Sequence, residues 1–187
     1  TLLGALVLFL LALATVPLIG RSQFPVADIP QFLVRVEAPD GASLPETDRA
    51  VRVVEDELAR HPEVRQWFSN VGHQNPQVYY NVFPTGIAPA LGEVFAELRN
   101  YDPDTTPALL DSIRTRLAEY PAARITVKQF ENGPPLEAPI VVRISGPDVE
   151  VLRQMASQVE DVLKQVPGTR DVDNAVRLRR TDIDLGI

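Results

Sequence analysis

The first twenty positions, Thr1 to Gly20, carry no charge and are mostly Leu, Ala and Val. As a helix such a stretch spans ~30 Å, about the thickness of bilayer hydrocarbon. Pro17 falls near its end, where a kink costs least. The pattern predicts one transmembrane helix over 1–20. Two other readings of these residues stay open. One is a buried core helix, although such helices seldom lack a polar face over this length. The other is a signal peptide with Ala12-Leu13-Ala14 as its cleavage site, lacking the usual basic lead-in. Residues 21–31 are a polar exit around Phe24-Pro25-Val26-Ala27-Asp28-Ile29-Pro30, and its two prolines prevent a continuing helix.

From Phe32 the hydrophobic period shortens to two, predicting a strand to Ala38. Pro39-Asp40-Gly41 turns the chain. Ser43 and Glu46 have capping-box spacing, and Ala50, Val51, Val54 and Leu58 form one apolar helical stripe. Pro62 ends that helix, and a strand over 64–71 carries Trp67 and Phe68. Residues 72–92 read as a long loop, with a possible strand at 78–83; long loops in compact domains are usually functional or disordered. A strand over 94–99 follows. Thr106, with Pro107 at the first helical position, caps a helix whose inner face is Leu110, Ile113 and Leu117. Pro121 stops it, and 124–130 is the fourth strand.

The order β-α-β-β-α-β over 32–131 predicts an α+β fold, a ferredoxin-like split β-α-β sandwich with both helices on one sheet face. Alternation then sorts the side chains. Phe32, Val34, Val36, Val94, Ala96, Leu98, Ile125 and Val127 face the helices. Leu33, Arg35, Glu37, Phe95, Glu97, Arg99, Arg124, Thr126 and Lys128 face away, as does Phe68, with Trp67 on the helix side. In strand 64–71, Val64 and Phe68 share a parity, so a bulge could exchange the two faces. Such an open face is either solvated or one wall of a cleft.

The pattern repeats in residues 132–187. A strand over 140–144, a helix over 148–165 capped by Asp148, and a second strand near Arg170 make another β-α-β unit. Val142-Arg143-Ile144 echoes Val34-Arg35-Val36, and Pro147-Asp148 echoes Pro39-Asp40. A looser echo at 110–130 makes three such units. Half a sandwich leaves an open edge and too small a core. This second unit is therefore expected to be completed by chain from elsewhere, and the start at Thr rather than Met points to a longer protein.

Composition changes this picture mainly by exclusion. With 18 Lys and Arg against 25 Asp and Glu the net charge is −7, unsuited to a phosphate-binding surface, so no nucleic acid is expected. The basic run Arg177 to Arg180 alternates with apolar residues and meets Asp182 and Asp184, as a solvated strand or turn does. There is no cysteine, which excludes disulfides, thiol catalysis and Cys-based zinc sites. His61 and His73 lie too far apart in sequence to suggest a metal site, and His61 precedes a helix-ending proline, where it serves the helix dipole. Asp28, Asp171 and Asp173 read as surface charges, and Tyr79, Tyr80 and Phe83 as a packed loop. Lacking a phosphate loop, a nucleophile motif or a carboxylate cluster, the chain is expected not to be an enzyme and to hold neither metal nor cofactor.

The order and spacing of several segments resemble one family across essentially the whole chain. They are the exit Phe24-Pro-Val-Ala-Asp28, the turn Ala38-Pro-Asp-Gly-Ala-Ser43, Gly72 after Trp67-Phe68, and Gly133-Pro-Pro135 through Ile144-Ser-Gly-Pro-Asp148. The family is the resistance-nodulation-division efflux permeases, in their second half. The resemblance implies the first membrane helix of that half at 1–20, one whole porter subdomain at 32–131 and the start of the next at 132–187. It implies a proton-driven transporter of the bacterial inner membrane, with residues after about 21 in the periplasm. Its partners would be the rest of the same chain, two further copies in a trimer, a periplasmic adaptor, an outer-membrane channel and a small-molecule substrate. By position, Leu33, Arg35, Phe68 and Phe95 match pocket-lining sites of the family, and Gly72, His73 and Asn75 match its gating loop. His73 and Asn75 stand where that family typically has aromatics. A rival reading is a membrane-tethered ferredoxin-like sensor or binding module without transport; it would lack the further apolar spans and intramembrane charges that a transporter needs.

Overall fold

The computed structural model describes residues 2–16, 24–84, 86–135, 138, 140–174 and 176. The basic run at 177–180, with Asp182 and Asp184, lies outside them. Helix α1 runs Leu2–Thr15, and none of its residues is buried. Its 14 residues extend about 21 Å at 1.5 Å per residue, and no helix of the described residues is long and apolar enough to cross a membrane. The expected span over 1–20 rests in part on residues 17–20, which lie outside the described set.

The sandwich is built from β1 (Gln31–Glu37), α2 (Leu44–Leu58), β2 (Val64–His73), β3 (Ile87–Leu98), α3 (Thr106–Ala118) and β4 (Arg124–Gln129). The four strands form one sheet in the order β2-β3-β1-β4, antiparallel throughout. Helices α2 and α3 cover one face. Phe32, Val34 and Val36 of β1, Val94, Ala96 and Leu98 of β3, and Val127 of β4 meet Ala50, Val51, Val54, Leu58, Leu110, Ile113 and Leu117 there. Period-two alternation in the strands and the apolar stripes of the helices interlock to make this core. At Gly92, a Cβ would come within 2.7 Å of the Val51 side chain, so α2 lies close on β3 where the strand has no side chain.

Helix α2 starts as its spacing predicts: the Ser43 amide and hydroxyl both donate to Glu46 Oε2, at 2.7 and 2.8 Å. This holds the Glu46 carboxyl below the ordinary carboxylate range, the Ser43 amide being the larger cause. Helix α3 begins one residue earlier than expected. Thr105 is its N-cap, while the Thr106 hydroxyl turns back to accept the Asp102 amide at 3.0 Å.

Three expected strands fail to form. Residues 78–83 hold only an isolated Tyr79–Val82 bridge, and β3 instead reaches back to Ile87. The 140–144 segment and the one near Arg170 are not strands. A strand needs a neighbour to take its amides and carbonyls, and none lies beside 140–144 among the described residues, where Ile140 is 70% and Val141 71% exposed. Helix α4 (Val149–Gln165) does form, because its signals are local. The Asp148 carboxylate accepts from the amides of Glu150 and Val151. Its C-terminal side is tied to the sandwich by ion pairs from Arg170 to Asp111 and from Arg124 to Asp173.

Candidate functional site

The face of the sheet away from the helices carries two rows of side chains, set by strand register. In one row Phe68 pairs with Phe95, Phe95 with Leu33, and Leu33 with Lys128. In the next, Asn70 pairs with Glu93, Glu93 with Arg35, and Arg35 with Thr126. The site residues drawn from the sequence therefore fall together in part: Leu33, Arg35, Phe68 and Phe95 share this face.

Phe68 reaches it through a bulge. The register shifts between Val64 and Gln66, so Val64 is buried in the core while Phe68, of the same parity, points the other way and is 60% exposed. Trp67 pairs with the core residue Ala96 but remains 37% exposed. Trp67 is on the helix side as alternation expects, but β2 is an edge strand and the helices cover it incompletely.

The face is also less open than alternation implies. Leu33 is 1% exposed, because it lies in a second cluster with Ala27 and Phe130, against which Ile29, Tyr79, Val82 and Phe95 pack. This cover comes from segments that strand periodicity does not place. The exit segment returns to the end of β4: Val26 bridges Glu131, and the Ala27 amide donates to the Phe130 carbonyl at 2.7 Å. The Tyr79–Val82 turn closes over it, with the Tyr79 ring 4.7 Å from that of Phe130. The Tyr80 hydroxyl meets the Gly133 amide and carbonyl. Gly133 has φ +128°, and a Cβ there would collide with the Phe24 ring, so the residue type is dictated by the close approach.

In the polar row, Arg35 Nε donates to Glu93 Oε2 at 3.1 Å, and Glu93 Oε1 accepts the Asn75 amide at 3.0 Å. Asn70 Nδ2 donates to Asn75 Oδ1 at 2.5 Å. Asn75 is only 3% exposed, so it braces the loop against the sheet; its own Nδ2 has no acceptor among the described residues. Gly72 sits at a second register break, between Val71 and His73, with φ +84°. A side chain there would be strained and would crowd Leu44. His73 is exposed, its Nδ1 2.9 Å from the Gln74 carbonyl. Gly72 and His73, expected to open a loop, are instead the end of β2, with His73 paired to Ile87, and Asn75 follows them beside the aromatic face. A concavity of about 410 Å³ opens at the other end of β2 and β3, lined by Pro62, Glu63, Arg99, Asn100 and Asp102 among others.

Glu93 lies just before the strand that the pattern predicts from Val94, although it shares the parity of Phe95 and opposes Arg35. Phe130, which periodicity makes only a strand end, lies just past β4 and belongs to the second cluster. Lys128, assigned to this face by alternation, is half-buried. Burial first, and then the neighbouring Arg35 guanidinium, hold its ammonium below the ordinary lysine range.

The sequence model of the AcrB/AcrD/AcrF family matches residues 1–187. No curated protein matches. Two crystal forms of a heavy metal efflux pump are similar in structure. One has 21% sequence identity and a TM-score of 0.61 over 90% of this chain and 18% of the pump. The other has 20% identity and a TM-score of 0.59 over 89% and 18%. The chain thus spans less than a fifth of that pump, and at this identity the likeness is one of fold. The expectation that the chain is not an enzyme is corrected. The similar structures also include a dinuclear metal-binding peptidase of the M20 family from Bacillus subtilis, with 15% identity and a TM-score of 0.33 over 59% of this chain and 30% of that one. Missing motifs exclude no catalytic class, since one α+β layer serves catalytic and non-catalytic proteins alike. At that TM-score the likeness is equally no argument for peptidase chemistry here.

Proposed function

Because the chain belongs to the AcrB/AcrD/AcrF family, whose model matches residues 1–187, we propose that it is a porter segment of a proton-driven efflux permease of the resistance-nodulation-division class. It comes from the second half of that permease. Residues 1–20 include its membrane anchor, 21–31 the exit, 32–131 a ferredoxin-like porter subdomain and 132–187 the first half of the next. The chain sits in the bacterial inner membrane, and the residues after about 21 lie in the periplasm. It works as a homotrimer with the rest of its own chain, a periplasmic adaptor and an outer-membrane channel. Two features support the anchor and the subdomain. Helix α1 exposes Leu2, Phe9 and Leu13, and none of its residues is buried among the described residues, a surface matched by lipid and not by water. The strand order of the sandwich is that expected of a split β-α-β fold.

The observation that carries the reading is the helix-free sheet face. Phe68 and Phe95 stand at the border of the cluster that covers Leu33, beside the Arg35–Glu93 pair and near Gly72 and His73 at the end of β2 and Asn75 after it. Apolar rings with a few convergent polar groups are what a small-molecule site needs, and this face forms one wall of the substrate cleft. The test is export by the intact permease carrying Phe68→Ala or Phe95→Ala. Both should impair export while the melting temperature of the Phe68 variant stays within a few degrees of the parent. Unchanged export by either variant in a stably folded protein would place the substrate path elsewhere.

A further inference from the structure

Gly133 is held from two sides. From the exit segment, the Phe24 ring lies against it so closely that a Cβ would collide. From the turn after β2, the Tyr80 hydroxyl accepts the Gly133 amide at 2.7 Å and donates to the Gly133 carbonyl at 3.0 Å. Asn81 Nδ2 donates to the carbonyls of Glu131 and Gly133, both at 2.9 Å. The Tyr79 hydroxyl donates to Asn132 Oδ1 at 3.1 Å. Three consecutive residues of the turn thus grip three consecutive residues beyond β4. Tyr80 and Asn81 reach only backbone groups there, so they fix the path of the chain.

The gripped stretch is also where the exit segment pairs. Val26 bridges Glu131, flanked by hydrogen bonds from the Ala27 amide to the Phe130 carbonyl at 2.7 Å and from the Asn132 amide to the Pro25 carbonyl at 2.9 Å. A ladder this short is marginal by itself, and the side chains of the turn close it. A displacement of the exit segment must then carry Phe130 along. The Phe130 ring is 6.5 Å from that of Phe95 and packs with Leu33, so the displacement reaches the sheet through close-packed side chains. On the other side Pro134 and Pro135 follow Gly133 directly, and a proline pair is a stiff lead into the second unit.

We propose that Tyr80 and Asn81 are positioning residues for transport. By clasping residues 131–133 they join the exit segment, the Phe130 side of the sheet and the lead into the second unit in one rigid body. A shift of the membrane anchor then moves all three together. The inference rests on the permease reading and adds to it the joint between anchor and sandwich.

The test uses the intact permease in cells lacking their own copy, with its cysteines, none of them within residues 1–187, replaced by serine. Export of ethidium and of Ag+ is measured against concentration, amide exchange is followed at Ala27 and Asn132, and the melting temperature of every variant is recorded. Asn81→Ala should speed exchange at both amides and lower the maximal export rate about tenfold, through the loss of two hydrogen bonds. The half-saturating concentration should stay within about twofold, because binding in the cleft is untouched. Tyr80→Phe, which removes only the hydroxyl, should act in the same direction and replaces Asn81→Ala should that variant melt early. Val26 and Glu131 form a non-hydrogen-bonded pair, for which the Cα atoms lie about 4.5 Å apart, a separation that a disulfide spans. Val26→Cys with Glu131→Cys should therefore restore export to the Asn81→Ala protein when oxidised, and reduction should abolish the rescue. Unchanged exchange and export in Asn81→Ala, beside a parent that exports, would overturn the clasp and leave the permease reading standing. Export lost on oxidising the cysteine pair in an otherwise parental chain would show that residues 26 and 131 must separate during transport, and would overturn it as well. A parent that exports neither probe above the level of cells without it would remove the permease reading, and the transport role of the clasp with it.

Discussion

Phe68 and Lys128 show how much a single position owes to its neighbours. Phe68 is adjacent to Trp67 and as apolar, yet the bulge before Gln66 turns it away from the core. Truncating it should cost about 1 kcal/mol or less, against the ~3–5 kcal/mol of a buried phenylalanine such as Phe32. Trp67→Ala should fall between the two, because the ring is only partly covered; chemical denaturation of the three alanine variants checks the order. Lys128 gives a pH prediction. Its proton is held less tightly in the fold than in the unfolded chain, since burial and Arg35 lower its pKa. The unfolded state therefore binds more protons between the lowered folded value and the ordinary one, and stability rises with pH across that window. Below both values the penalty is fully present. Lys128→Met should accordingly be at least as stable as the parent at pH 7, with the gap closing as the pH approaches the ordinary lysine range. A gap that stays constant with pH would show that packing, and not charge, sets the difference.

Elements that carry their own signals appear where the pattern puts them, and those that need a partner do not. Helices α2 and α4 have a capping carboxylate and an apolar stripe within their own sequence. Residues 140–144 have the composition of a strand but no neighbouring strand among the described residues. The sandwich, in turn, borrows cover from outside its strands: Ala27 lies over Phe130 and Leu33, and Val26 bridges Glu131. A fragment of residues 24–133 should therefore unfold cooperatively at a higher temperature than one of residues 32–130, which exposes the second cluster. Residues 140–176 alone should show helix without a cooperative transition, because one helix buries too little to offset chain entropy. Calorimetry of the three fragments distinguishes these outcomes, and equal melting of the two longer ones would remove any role for the exit segment.

Across the whole molecule, the sandwich and the segment after α4 are joined by charge. Arg170 meets Asp111 on α3, and Asp173 meets Arg124 on β4. Exposed ion pairs contribute only ~0.2–1 kcal/mol each and weaken with salt. Arg170→Gln should therefore leave the melting temperature of the sandwich nearly unchanged. It should speed amide exchange at Thr169, whose N–H donates to the Val166 carbonyl, and added salt should do the same in the parent. A fall of many degrees in melting temperature would mean that this segment is part of the cooperative core.

The sequence alone determined what depends on neighbours along the chain: the α2 and α4 caps, strand alternation, and hence the two faces of the sheet and the family. Period-two alternation is local, so Leu33, Arg35, Phe95 and Lys128 could be put on one face without any structure. Only the tertiary structure decided what covers that face. The exit segment, the Tyr79–Val82 turn and the Gly133 approach meet across 50 residues and more, through contacts with no periodic signature. These bury Leu33, and the pairing of Glu93 with Arg35 depends equally on how β3 lies against β1. The strands of the second unit failed for the same reason, since β pairing is a property of two segments and neither has a partner among the described residues.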